Sequence, residues 1–307
     1  MLDVLYVAGD GRSGSTLLSR LLGQVPGWFS AGEVRYVWER GMVADRLCQC
    51  GQAFHECPLW TRVVDALDSR PTRDELERLL EAEGRLLRTR RAPTALRLAS
   101  RPSEYRRREP HYSARLSELY ATIRSVTGCT VLVDSSKLAS YGLLLRGDPG
   151  LRVKVIHLVR DPRASAYSWQ RFKPLHDDNA ATHMRRRGLL SSSAIWSSGN
   201  LLVERLLRRP ESDYVRVRYE DLVTDPDRTL RTLTRALGWP DLQLPEAADG
   251  VVHLQSGHAV AGNPDRHDDG ALRLRLDDEW RSRMPPREQR LVYSLTRPLS
   301  VRYGYGR

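Results

Sequence analysis

The sequence predicts an α/β fold in three layers: a central parallel sheet flanked by helices, with a helical insertion. Three observations predict it. Four short apolar runs rich in β-branched residues read as strands: Val4–Ala8, Thr130–Val133, Val153–Val159 and Tyr214–Tyr219. Long helix-like stretches separate them, and that alternation builds a parallel sheet covered on both faces. The first run also leads through a glycine loop into an amphipathic helix, a unit whose loop faces a ligand.

The elements follow in chain order. After Val4–Ala8, Gly9, Gly11 and Gly14 let the backbone turn tightly and approach a ligand. A helix begins near Ser15–Thr16, with Leu17, Leu18, Leu21 and Leu22 on one face. Its free N–H groups point back into the loop, which suits phosphate or sulfate. The nucleotide-triphosphate pattern G-x4-G-K-[ST] is almost complete here, but the lysine is missing and Ser15-Thr16 follows Gly14 directly. Arg12 supplies a cation inside the loop instead, and an arginine forks two donors onto one tetrahedral anion. The fold expected is therefore P-loop-like, with a cradle for one phosphate or sulfate held close to the loop.

A turn from Gly27 to Gly32 brings the chain back to the mouth of that cradle, where Glu33 stands as a candidate base with Arg35 beside it. Cys48, Cys50 and Cys57 follow in a C-x-C-x6-C run that contains His55. Such a set can hold zinc, but it lacks the usual C-x2-C hooks. The expectation is a metal-free cluster, either thiols lining a small loop or one disulfide. Thr61–Leu98 reads as helix, with Leu76, Leu79, Leu80, Leu86 and Leu87 near a 3.6-residue period, and the whole insertion is placed at about 61–125. The basic stretch Arg101–Arg115 reads as a solvated face.

Thr130–Val133 runs into Asp134-Ser135-Ser136-Lys137, placing hydroxyls and an ammonium at the ligand edge of the sheet. Asp134 reads as a structural cap or a partner of Arg12 rather than a metal ligand. Val153–Val159 ends at Arg160, and Ser168 lies eight residues on in the next helix, so the two can clamp a second phosphate remote from the first. Ala271–Tyr303 reads as a helical pair broken at Met284-Pro285-Pro286. Trp28, Tyr36, Trp38, Trp60 and Trp169 read mainly as core, and otherwise as the walls of an acceptor pocket.

The bulk composition sets outer limits. The 307 residues carry no repeats and no low-complexity linker, so one domain over 1–307 is expected. No apolar run approaches a membrane span and no leader pattern opens the chain, so no membrane partner and a cytoplasmic location are expected. The formal net charge of +11 draws anions. The aromatics do not interleave with the arginines as a nucleic-acid stacking platform requires, which argues against a nucleic-acid partner.

"GRSGST" (Gly11–Thr16) and "VRDPRASAYS" (Val159–Ser168) together resemble the sulfotransferase superfamily that uses 3′-phosphoadenosine 5′-phosphosulfate (PAPS). The chain is most similar to bacterial members related to tyrosylprotein and carbohydrate sulfotransferases. The resemblance implies that Arg12, Ser13, Gly14, Ser15 and Thr16 hold the 5′-phosphosulfate, and that Arg160 and Ser168 hold the 3′-phosphate. "VRYEDLVTDP" implies Tyr219 beside the adenine, and "HAVAGNPDR" implies a late phosphate loop with Gly262, Asn263 and Arg266. It further implies Glu33 as the base, Arg35 as a group orienting the acceptor, and Lys137 on the bridging oxygen of the leaving group. No metal is required by that chemistry. The expected reaction is in-line transfer of a sulfuryl group onto a hydroxyl of a small-molecule, carbohydrate or natural-product acceptor. The rivals are a small-molecule kinase or other nucleotide-triphosphate enzyme, disfavoured by the missing loop lysine, and a basic nucleic-acid binder.

Overall fold

In chain order, β1 (Leu2–Gly9) leads to α1 (Ser15–Leu22) and β2 (Trp28–Gly32), followed by a short 3-10 turn and a wide helical turn over Val34–Val43. The insertion comprises α2 (Pro58–Asp65), α3 (Arg73–Leu87), α4 (Ala92–Arg97), α5 (Pro102–Arg106) and α6 (Pro110–Thr127). Then come β3 (Val131–Lys137), α7 (Ala139–Arg146), β4 (Leu151–Val159) and α8 (Pro162–Gln170). The short strands β5 (Pro174–Leu175) and β6 (Thr182–His183) precede α9 (Leu189–Leu207), β7 (Tyr214–Arg218), α10 (Tyr219–Thr224) and α11 (Pro226–Ala236). The chain closes with β8 (Val251–Leu254), β9 (Gly270–Arg273), α12 (Trp280–Arg283) and α13 (Pro286–Arg302). This computed structural model describes residues 1–88, 91–172, 174–175, 182–183, 186–209 and 213–306.

Five strands form one parallel sheet in the order β2-β3-β1-β4-β7. The two-residue period of β1 divides its side chains between two cores. Val4, Tyr6 and Ala8 face the layer built by the insertion, α7 and α9. Leu5 and Val7 face α1, α10 and α11 on the other side. The insertion helices thus share a core with the sheet. In α1, Leu18, Leu21 and Leu22 are fully buried, and each such leucine contributes about 1.5–3 kcal/mol. Leu18→Ala would leave a cavity costing about 2–5 kcal/mol.

Local signals set the helix starts. The Thr72 hydroxyl accepts the Glu75 N–H to open α3, and Asp161 and Asp225 do the same ahead of Pro162 and Pro226. α1 opens differently. Its cap, Gly14, sits at φ +89 with the Tyr219 ring so close that a Cβ there would lie 2.3 Å from a ring carbon. Only glycine fits both demands.

Three expectations need correction. The stretch from Gly27 to Gly32 is not merely a turn. It contains strand β2, bracketed by those two glycines at φ +79 and +74. Arg101–Arg115 is not a plain solvated face, because Tyr105 and Tyr112 are fully buried within it and Arg115 is nearly so. The Tyr105 hydroxyl donates to the Leu86 carbonyl at 2.7 Å and Arg106 pairs with Asp148 at 2.9 Å. The start of Ala271–Tyr303 is strand β9, and the helical pair begins only at Trp280. Residues 89 and 90 of the stretch read as helix over Thr61–Leu98 lie outside the described residues. Among the described residues, no helix is long and apolar enough to cross a membrane.

Candidate active site

Each strand of the parallel sheet delivers one candidate residue at its carboxyl end. Arg12 follows β1, Glu33 follows β2, Lys137 ends β3, Arg160 follows β4 and Tyr219 follows β7. The carboxyl ends of strands in an open α/β sheet are where ligands bind. All five residues line one cavity of about 410 Å³, together with Gly14, Ser15, Thr16, Ser168, Gly262 and Asn263. Of the residues expected to hold the donor, two do not. The Ser13 hydroxyl turns inward to the Asp10 carbonyl at 2.8 Å, and Arg266 is buried with its guanidinium donating to the Leu47 carbonyl at 3.1 Å. Arg266 therefore clamps the late loop from behind instead of lining the cavity.

The backbone is bent where these residues meet. Arg12 and Lys137 both hold left-handed conformations, at φ +67 and +68. A non-glycine residue there costs about 1–3 kcal/mol and persists only where the surroundings enforce it. Bulges in the β1–β3 and β2–β3 ladders fall at the same level of the sheet, and bulges re-aim side chains. The result brings Lys137 Nζ within 2.6 Å of Glu33 Oε1.

The late loop closes on the first loop. Val260 bridges to Gly32, and its carbonyl accepts the Glu33 N–H at 2.8 Å. Asn263 then receives the Arg12 guanidinium on Oδ1 at 3.3 Å and donates its own N–H to Thr16 Oγ1 at 3.2 Å. On the far side, the Arg160 guanidinium stacks on the Tyr219 ring at 4.6 Å and donates to the Arg12 carbonyl at 3.0 Å.

Cations dominate the lining. Arg12, Arg20, Arg40, Lys137, Arg160, Arg171, Arg273 and Arg275 face Glu33, Asp265, Asp268 and Asp277. Burial, with Arg171 and Arg160 nearby, draws the Arg12 guanidinium down against the opposing pull of Asp265. Nε and Nη2 of Arg12 and Nε of Arg160 are buried with no hydrogen-bond partner among the described residues. Such orphaned donors fit an anion that accepts from them. Burial also lifts Asp10, at the base of the first loop, to about 7.

Asp277 escaped the sequence analysis, whereas the aromatic residues were read as core or pocket wall. Asp277 binds both Arg160 and Arg171, at 3.0 and 2.8 Å. Trp169 lines the cavity under the guanidinium groups of Arg12 and Arg187. Trp28, Trp38 and Trp60 are core. The Tyr36 ring is in cation–π contact with the guanidinium groups of both Arg35 and Arg40. Arg35 is committed to a buried ion pair with Glu83 of the insertion at 2.6 Å and does not line the cavity. Asp134 is not the partner of Arg12. Its fully buried carboxylate accepts from the Ser136 N–H and hydroxyl and from the Tyr120 hydroxyl, facing away from the cavity. Burial raises it to about 6 against those bonds. The cysteines are free thiols, so no disulfide joins them. His55 turns from them to the Met42 carbonyl.

The chain is similar to human carbohydrate sulfotransferase 3, at 28% identity over 173 residues that cover 52% of this chain. It spans 35% of that relative's length. Among solved structures it is similar to a sulfotransferase domain from the olefin synthase of Synechococcus PCC 7002, with a TM-score of 0.51 at 22% identity over 97% of this chain and 94% of that one. At that identity the likeness bears on the fold alone. The family model described as the sulfotransferase family matches residues 5–243, most of the chain and all five strands of the parallel sheet, and the protein belongs to that family.

Proposed function

We propose that this protein transfers a sulfuryl group from PAPS to a hydroxyl of a small-molecule, carbohydrate or natural-product acceptor. One observation carries the proposal. A carboxylate and an ammonium in contact, Glu33 and Lys137, share a cavity with two arginines, Arg12 and Arg160, each of which keeps at least one buried N–H without a partner among the described residues. That is a base beside cations, the set required where an acceptor loses a proton and a leaving oxygen gains charge.

PAPS would supply the activated sulfuryl group. The residues fit it. Arg12, with the N-terminus of α1 at Gly14, Ser15 and Thr16, would hold the 5′-phosphosulfate. Arg160 and Ser168 would hold the 3′-phosphate, and Tyr219, already stacked on Arg160, would lie beside the adenine. Gly262 and Asn263 would close the late loop over the donor. Arg266 would act from behind by fixing that loop. In this reading Glu33 takes the acceptor proton on its carboxylate. Lys137 is held by Glu33 and by the Ser135 carbonyl at 3.2 Å, in position to donate to the departing oxygen. A magnesium-bound triphosphate finds less support, because the acidic residue of β3, Asp134, is turned into the core.

A thermal-shift panel tests the proposal. Adenosine 3′,5′-bisphosphate should raise the melting temperature, while ATP with magnesium and an oligonucleotide should raise it little. A larger shift with ATP–magnesium would favour the kinase, and one with the oligonucleotide the nucleic-acid binder.

A further inference from the structure

We propose that Cys48, Cys50, Cys57 and His258 form a structural zinc site that fastens the late loop to the body of the protein. The ligand atoms of these four residues all lie within 4.8 Å of one another. The Cys57 sulfur is 3.5 Å from that of Cys48 and 3.7 Å from that of Cys50. His258 Nδ1 lies 3.3 Å from the Cys57 sulfur and 4.0 Å from the Cys48 sulfur. Around a tetrahedral zinc with Zn–S of about 2.3 Å and Zn–N of about 2.0 Å, sulfur–sulfur edges are about 3.8 Å and sulfur–nitrogen edges about 3.5 Å. The four distances given above lie within about 0.5 Å of those edges, and the remaining two are no longer than 4.8 Å.

The chemistry narrows the ion. Three thiols and an imidazole are soft and borderline ligands, which suit zinc and not magnesium or calcium. Among the described residues, no carboxylate belongs to the cluster. Four protein ligands leave no open position, which is the mark of a structural site. A disulfide would use two sulfurs and leave the third thiol and the imidazole without a purpose. On binding, the coordinating thiols would give up their protons to solvent.

The surrounding backbone is shaped to present the ligands. Cys48 and Cys50 sit on a tight turn: the Cys48 N–H donates to the Gln52 carbonyl at 2.8 Å, and Gly51 holds φ +85. Cys57 stands at the N-terminus of α2, where the helix favours a thiolate. His258 arrives from the other end of the chain, its carbonyl fixed by the Trp60 indole N–H at 2.8 Å. Beside it, the Gln49 N–H donates to the Ala259 carbonyl at 3.1 Å. The loop that supplies His258 continues to Val260, against Glu33, and to Asn263, against Arg12 and Thr16. Fixing His258 therefore fixes the strip that closes the cavity. This revises the metal-free expectation and replaces His55, inside the cysteine run, with His258.

Elemental analysis of the full chain, purified without a histidine tag or chelator, should find about one zinc per chain. Stripping the metal under reducing conditions should lower the melting temperature, and zinc, but not magnesium, should restore it. Cobalt(II) added to the stripped protein should give the visible bands of a tetrahedral thiolate site. His258→Ala should weaken metal retention by roughly tenfold or more and shift those bands. Cys50→Ser, at the one half-buried cysteine of the cluster, gives a second variant if the first does not fold, and should do the same. A fresh preparation with negligible metal and no cobalt bands, or a mapped Cys48–Cys57 disulfide in active protein, would overturn the proposal.

Discussion

Lys137 Nζ donates to Glu33 Oε1 at 2.6 Å, joining the ends of two neighbouring strands at the mouth of the first loop. Glu33→Gln should lower turnover by roughly 10²–10⁴-fold while adenosine 3′,5′-bisphosphate binds as before. Lys137→Met should also slow turnover. Because the two groups touch, the double variant should lose less than the sum, with a coupling of about 0.5–3 kcal/mol. Single-turnover kinetics on the four proteins checks this. Glu33→Gln retaining most of its turnover would move the base elsewhere.

Asp277 pairs with both Arg160 and Arg171 in this structure. A phosphate arriving at Arg160 must displace that carboxylate and then lie near it. Asp277→Asn should therefore tighten adenosine 3′,5′-bisphosphate binding by up to about tenfold, or 1.4 kcal/mol, and leave AMP little changed. Calorimetry on the variant decides. Weaker binding would mean that Asp277 holds Arg160 in its working position instead.

Burial raises the Asp10 carboxyl from 3.8 to about 7. Below about pH 4 both folded and unfolded chains hold that proton, and the shift has no effect. Between about 4 and 7 the folded chain keeps a proton that the unfolded chain has lost, so this group lowers stability as pH rises, by roughly 4 kcal/mol at most. Buried His157, drawn down to about 4 chiefly by desolvation, acts oppositely: its stabilisation is present above 6.5 and lost as pH falls toward 4. The two slopes offset in the wild type, so the difference between Asp10→Asn and wild type carries the test. The melting-temperature gain of Asp10→Asn should grow from pH 4 to pH 8. A difference flat across that range would contradict the assignment.

The sequence analysis located the cavity because its residues announce themselves locally. Arg12 sits among glycines, Lys137 and Arg160 end apolar runs, and Glu33 follows a glycine pair. Strand β2 was hidden because it is only five residues long and Gly27 and Gly32 read as a turn. Asp277 lay in a stretch read as helix, and nothing near it in sequence signals Arg160. His258 lies 201 residues from Cys57, so the fourth ligand of that cluster exists only through the pairing of the late loop with β2. Arg266 and Arg35 show what a motif does not specify. Each carries a family motif, yet the fold spends the first on the Leu47 carbonyl and the second on Glu83. Side-chain direction, set by tertiary packing, decided both.

The most direct test of PAPS dependence is calorimetry of wild type and Arg160→Ala with adenosine 3′,5′-bisphosphate and with AMP, which differ by the 3′-phosphate. Truncating one partner of a buried charged contact costs about 2–5 kcal/mol. Wild type should therefore prefer the bisphosphate by tenfold or more, and Arg160→Ala should erase most of that preference by weakening the bisphosphate alone. Equal binding of both ligands by wild type, or equal weakening of both by Arg160→Ala, would contradict the account.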